Sequence, residues 1–142
     1  MALAALGFAA PLSAGEVAVE HSVFVEREVE AAGGRAARVL EPARELRRGD
    51  RLVYFVAWRA PEPRAESFTI TNPLPRAVSY QRSADGFEEV SVDGGRSWGK
   101  LGDLRVAGRS ATAEDVTHVR WQVPRQIALA GRGKLTWSGV VR

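Results

Sequence analysis

Only two histidines, His21 and His118, and no cysteine occur among the 142 residues, so the chemistry open to this chain is narrow. Thiolate nucleophiles, disulfides, Cys-ligated zinc and iron–sulfur clusters are excluded, and one chain cannot offer three histidines to a metal. The closest acid–histidine pair is Asp115-Val-Thr-His118. On a strand, residues three apart face opposite sides, so these two would not meet as a general base and its orienting acid. Asp115 is expected in the turn before the strand. Parity places His118 with Arg120 and Gln122 toward solvent, opposite Val119, Trp121 and Val123. His21 falls among alternating valines and reads as a satisfied, semi-buried residue. No Gly-x-Ser-x-Gly elbow, phosphate-cradling glycine loop or His-Glu-x-x-His helix occurs. The paired acids Glu88-Glu89 would point to opposite faces of a strand. The sequence therefore reads as non-enzymatic. It implies no cofactor beyond calcium, which Asp85, Asp93 and Asp103 could bind if a sandwich end gathered them.

The segment Ser91-Val-Asp93-Gly94-Gly95-Arg-Ser97-Trp98 carries the S-x-D-x-G-x-x-W pattern of the Asp-box hairpins of sialidase-like propellers. A single copy cannot build a propeller, which needs several four-stranded blades. Its physical meaning is a turn: the carboxylate accepts backbone N–H groups and the tryptophan packs beneath. Four tryptophans are the other resource. Trp121 and Trp137 fall on apolar faces by parity and are expected in the core. Trp58, at a strand end beside Arg59, and Trp98, at the hairpin exit, are the ones expected to reach solvent. An exposed tryptophan beside an arginine could stack on a sugar ring or a peptide, so Trp58, Arg59 and Trp98 are the candidate ligand contacts.

Charge argues against nucleic acid as a partner. The net charge is +3, with 18 arginines and 2 lysines, but only Arg47-Arg48 are adjacent and no reader motif occurs. Residues 2–12 are apolar and uncharged, the length of a signal-peptide core, and Ser13-Ala14 follow as a cleavage region would. Residues 1–14 are thus expected to be a signal peptide, and 15–142 a single exported domain, periplasmic or at the cell surface. No later stretch has the ~20 apolar residues of a membrane span.

The elements that must position these residues are strands. Val17, Val19, His21, Val23 and Val25 alternate with polar residues. Arg38–Glu41 reads as a short second strand. Gly49-Asp50 makes a turn into Arg51–Trp58, the most apolar strand. Residues 59–64 form a proline loop. Phe68–Thr71 ends at Asn72-Pro73-Leu74-Pro75, a bend or edge crossing because proline cannot donate to a ladder. Strands are also expected at Ala77–Gln81, Phe87–Val92, Trp98–Leu101, Leu104–Val106, Val116–Val123 and Gly133–Val141. Short strands at roughly ten-residue spacing predict an all-β, Ig-like antiparallel sandwich of about seven to nine strands.

In their order and spacing, Gly49-Asp50, Leu52-Val-Tyr54, Asn72-Pro-Leu-Pro75, Tyr80, Ser83, Val92-Asp-Gly-Gly95 and Asp115-Val-Thr-His-Val-Arg-Trp121 resemble the bacterial Ig-like "conserved repeat" domains. That family comprises exported and cell-surface sandwich domains of unknown function. The resemblance spans Val39 to Val141. It implies an Ig-like sandwich and export, and supplies no catalytic residues. The expected role is an exported, non-enzymatic domain making structural or protein–protein contacts in the envelope. The alternative is a small carbohydrate-binding module using Trp58 or Trp98.

Overall fold

The period-two run at the N-terminal side becomes β1 (Ala18–Ala31), which turns through Gly33-Gly34 into β2 (Arg35–Pro42). A computed structural model describes residues 17–60 and 66–142. The signal peptide expected over 1–14 lies outside the described residues, as does most of the proline loop. The strands that follow are β3 (Arg51–Arg59), β4 (Phe68–Pro73), β5 (Val78–Ser83), β6 (Glu88–Ser91), β7 (Arg105–Val106), β8 (Arg109–Ser110), β9 (His118–Val123) and β10 (Arg132–Val141). They form an antiparallel five-stranded sheet, β2-β1-β3-β10-β5, a three-stranded sheet, β4-β9-β6, and the small β7-β8 hairpin. The fold is an all-β sandwich. The Asn72–Pro75 segment carries the chain from the three-stranded sheet to the five-stranded one, with Leu74 N–H bonded to the Thr117 carbonyl.

Alternation decides which side chains meet between the sheets. Leu52, Val56 and Trp58 of β3, and Leu135 and Trp137 of β10, face Ile70 of β4, Val90 of β6, and Val119, Trp121 and Val123 of β9 in one buried cluster. Trp137 stacks on Tyr54 with ring centres 4.0 Å apart. Trp121 Nε1 donates to Ser83 Oγ across the sandwich. The Gly49-Asp50 turn is tied to the last strand: Gly49 N–H donates to the Val141 carbonyl, and Val141 N–H to that of Asp50. Asp50 accepts the Arg47 N–H and the Arg27 guanidinium at 2.8 and 2.7 Å.

Three expectations change. The strand expected over Trp98–Leu101 shrinks to one bridge, Val90 with Gly99. Beyond it Lys100 donates to the Gly86 and Glu88 carbonyls, and the chain enters a 3-10 turn, Leu101–Asp103. The first strand, read in the sequence from the alternation over Val17–Val25, continues to Ala31, because β2 supplies a ladder for it. His21 lies on the inward face by register, opposite Val56, yet is exposed rather than semi-buried.

The two tyrosines give a direct test of the packing. Burial pushes Tyr54 up to about 12. Burial and the nearby Glu88 carboxylate push Tyr80 up to about 12. Both values are raised above the unfolded value near 10, so the stability they contribute is complete below about pH 10 and is lost as pH rises toward 12. An alkaline absorbance titration should therefore show no phenolate near pH 10 in the folded protein, and both phenolates near pH 10 in urea.

Candidate functional site

The Asp93 hairpin is built largely from its own hydrogen bonds, with Gly94 N–H also donating to the Thr117 hydroxyl. Gly94 and Gly95 adopt positive φ, which L side chains avoid, and this brings the following N–H groups round onto the carboxylate. Asp93 Oδ1 accepts from the Arg96 and Ser97 N–H groups and from the Ser91 hydroxyl. Its Oδ2 accepts from the Ser97 hydroxyl. Ser91, fully buried, accepts in turn from Gly95 N–H at 2.8 Å. Trp98 Nε1 donates to the Gly95 carbonyl. With the Ser97 hydroxyl the largest cause, these donors hold Asp93 well below the ordinary carboxylate range. A depressed carboxyl stabilises the fold above its unfolded value and loses that effect as pH falls. Asp93→Asn should therefore lower the thermal midpoint at neutral pH, with the gap to wild type beginning to narrow only as pH falls below about 4. Midpoints recorded across that range check it.

Trp98 does not stand free beside this turn. The Arg120 guanidinium sits 4.5 Å over its ring centre, and His118 meets it edge-on at 6.2 Å. Arg120 is also held by Glu89, through Nε at 2.9 Å and a terminal nitrogen at 2.7 Å. One face of Trp98 is thus already occupied, and the side chain is half-buried. His118 Nδ1 contacts the Thr117 hydroxyl. Asp115 lies in a 3-10 turn and binds Arg109 in a fork, at 2.7 and 2.8 Å. The acid and the histidine therefore have separate partners.

Trp58 corrects the expectation of an exposed ligand contact: it is 3% exposed. Its parity matches Leu52 and Val56, and its register partner is Gly133, whose missing side chain leaves room for the indole. Phe68 closes the other side edge-on. Arg59 stays exposed at the end of β3, and among the described residues no ring stacks on it. The loop acids are not gathered either. Asp85 accepts the Thr136 N–H, Asp93 is committed to its turn, and Asp103 is exposed in the 3-10 turn. Among the described residues no three such side chains stand together as a metal site. Among them, too, no helix is long and apolar enough to cross a membrane.

Two surfaces that residue types alone did not reveal are set by register. β1 pairs with β3 only as far as Glu26 opposite Arg51. From Arg27 to Arg38 the β1–β2 ribbon pairs only with itself and overhangs the sheet. Val29 is 37% exposed on it, with Leu40 at 44% near its base and Leu46 at 39% beyond. The second surface is a groove across the outer face of the five-stranded sheet. Comparison with protein-family models, with curated proteins and with solved structures finds no match for this chain.

Proposed function

We propose that this chain is an exported, non-enzymatic interaction domain of the cell envelope that engages a protein partner through the overhanging β1–β2 ribbon. The observation that carries this reading is the ribbon itself. Large apolar side chains are exposed on and beside strands that make no further ladder, and exposed apolar surface of this kind marks contact sites. β2 is also the outermost strand of its sheet, so its outward N–H and C=O groups can extend a partner's sheet by β-augmentation. Glu28 and Glu30 on β1 face Arg38 and Ala36 on β2, so a partner laid on that face of the ribbon meets charges of both signs. Export rests on the apolar run at residues 2–12 and on the likeness to exported Ig-like repeat domains. Trp58 is buried and offers no face to a sugar, while Trp98 carries Arg120 on one face.

Photo-crosslinking tests the reading. A photoreactive residue at position 29 should trap one discrete envelope protein in the source cells. The same residue at Arg96, on the Asp93 turn, should trap none. Equal labelling from both positions would refute a ribbon-specific interface.

A further inference from the structure

Register assembles a positively charged groove on the outer face of the five-stranded sheet, and from it we infer a site for a carboxylate-bearing saccharide, a uronate unit. The inference does not depend on the ribbon reading. Reading across the strands, Leu40, Glu26 and Arg51 form one row, and Phe24, Val53, Ser138 and Arg82 the next. Arg82 reaches this face through a β-bulge. Ser138 pairs with Arg82 and Gly139 with Tyr80, so Gln81 is the extra residue. In an unbroken strand Arg82 would share the inward face of Tyr80. Bulges of this kind re-aim side chains and recur beside functional sites.

Three guanidiniums, those of Arg38, Arg51 and Arg82, line the groove against one carboxylate, Glu26. The neutralisation is loose. Glu26 Oε1 lies 3.4 Å from Arg38 and 3.3 Å from Arg51. Three other pairs, Arg27–Asp50, Arg109–Asp115 and Arg120–Glu89, close to 2.7 Å, the range of a strong charge-assisted bond. Arg51 Nε is shielded from solvent and has no hydrogen-bond partner, and among the described residues Arg82 makes no ion pair. The exposed guanidiniums of Arg38 and Arg82 are the planar donors that can meet a carboxylate in a fork.

The floor selects the rest of the ligand. Leu40 and Val53 are apolar, and Ser138 offers a hydroxyl already donating to Gln81, so that its oxygen can still accept. Apolar patches beside hydroxyls suit the C–H faces and OH groups of a sugar ring. The groove holds about 270 Å³, just under the ~300 Å³ at which pockets for larger ligands begin. It runs across the strands, whereas a peptide would gain its backbone hydrogen bonds along an edge.

Titrating the full-length folded domain with trigalacturonate, followed by amide NMR, tests this. Galactotriose serves as the neutral control and hexaglutamate as the acidic-peptide control. Trigalacturonate should shift amides of β1, β3, β10 and β5 around the groove, with galactotriose and hexaglutamate far weaker. Arg38→Ala and Arg82→Ala, both at exposed positions, should each weaken binding roughly tenfold at an unchanged thermal midpoint. Glu26→Gln should tighten it, because it removes the competing carboxylate, an outcome that a merely structural role would not produce. Equal binding of the neutral sugar, stronger binding of hexaglutamate, shifts confined to other strands, or no response to trigalacturonate would each overturn the inference.

Discussion

Trp121→Ala should destabilise the domain by about 3–5 kcal/mol, the range for deleting a large, fully buried aromatic side chain. Trp121 is 0% exposed and sits on the central strand of the three-stranded sheet, between Ile70 on one side and Glu88 on the other. Its loss opens a void that β4 and β6 cannot both collapse into without breaking their ladders. It also removes the hydrogen bond that ties this sheet to β5 of the other, because Ser83 Oγ loses the indole donor. Urea unfolding should show a lower midpoint with an unchanged slope. Trp121→Phe keeps most of the packing and deletes the hydrogen bond, so it should fall well short of the alanine effect. Equal losses for both variants would place the energy in the hydrogen bond instead of the packing.

Gly133→Ala should destabilise by about 1–3 kcal/mol despite adding a single methyl group, the cost of overpacking a filled core. A Cβ at this position would lie 2.6 Å from Trp58 Nε1 and 2.7 Å from two ring carbons. The indole, only 3% exposed and held edge-on by Phe68, has little room to yield. Wild-type Trp58 should emit as a buried indole, and the variant should show a red shift as the ring is pushed outward. A smaller ring relieves the clash, so Trp58→Phe combined with Gly133→Ala should cost less than the sum of the two changes. Additive losses would mean that the two residues do not share the space.

Much of the fold was legible because it is written locally. Val119, Trp121 and Val123 alternate with His118, Arg120 and Gln122, and that period alone names the buried face of β9. The turn at Ser91–Trp98 was legible for the same reason: the bonds to the Asp93 carboxylate, the Ser91 hydroxyl and the Gly95 carbonyl all come from within the segment, although Gly94 N–H also donates to the distant Thr117 hydroxyl. What was not legible depends on distant partners. Trp58 looked exposed because it ends its strand beside an arginine, and the glycine that admits it stands at position 133. Its parity with Leu52 and Val56 was the signal that pointed inward. Trp98 looked open because Arg120, which covers it, arrives from another strand.

The two surfaces most relevant to binding were hidden for the same reason. The stretch from Glu26 to Leu46 is rich in Ala, Glu and Arg and is broken by Gly33-Gly34 and Pro42, so it carries only a weak helix signal and no clear strand period. Only pairing with β2 makes it a strand. Arg38, Arg51 and Arg82 lie on three different strands, and no spacing in the sequence connects them. A one-residue bulge at Gln81 turns the last of them outward. Their convergence is a property of register, which single-strand patterns do not encode.

The claim that the overhanging ribbon is the partner-binding element of an exported domain is tested most directly by excision. Residues Glu28 to Arg38 can be replaced by Asn-Gly, which joins the paired residues Arg27 and Val39 through a two-residue hairpin turn. Both forms would be expressed in the source cells from the native start, and their envelope retention compared by fractionation. The account predicts that both are exported and fold with the same cooperativity, while only the intact chain is retained with the envelope. Equal retention of a folded, ribbon-less chain, or recovery of the intact chain in the cytoplasm, would contradict it.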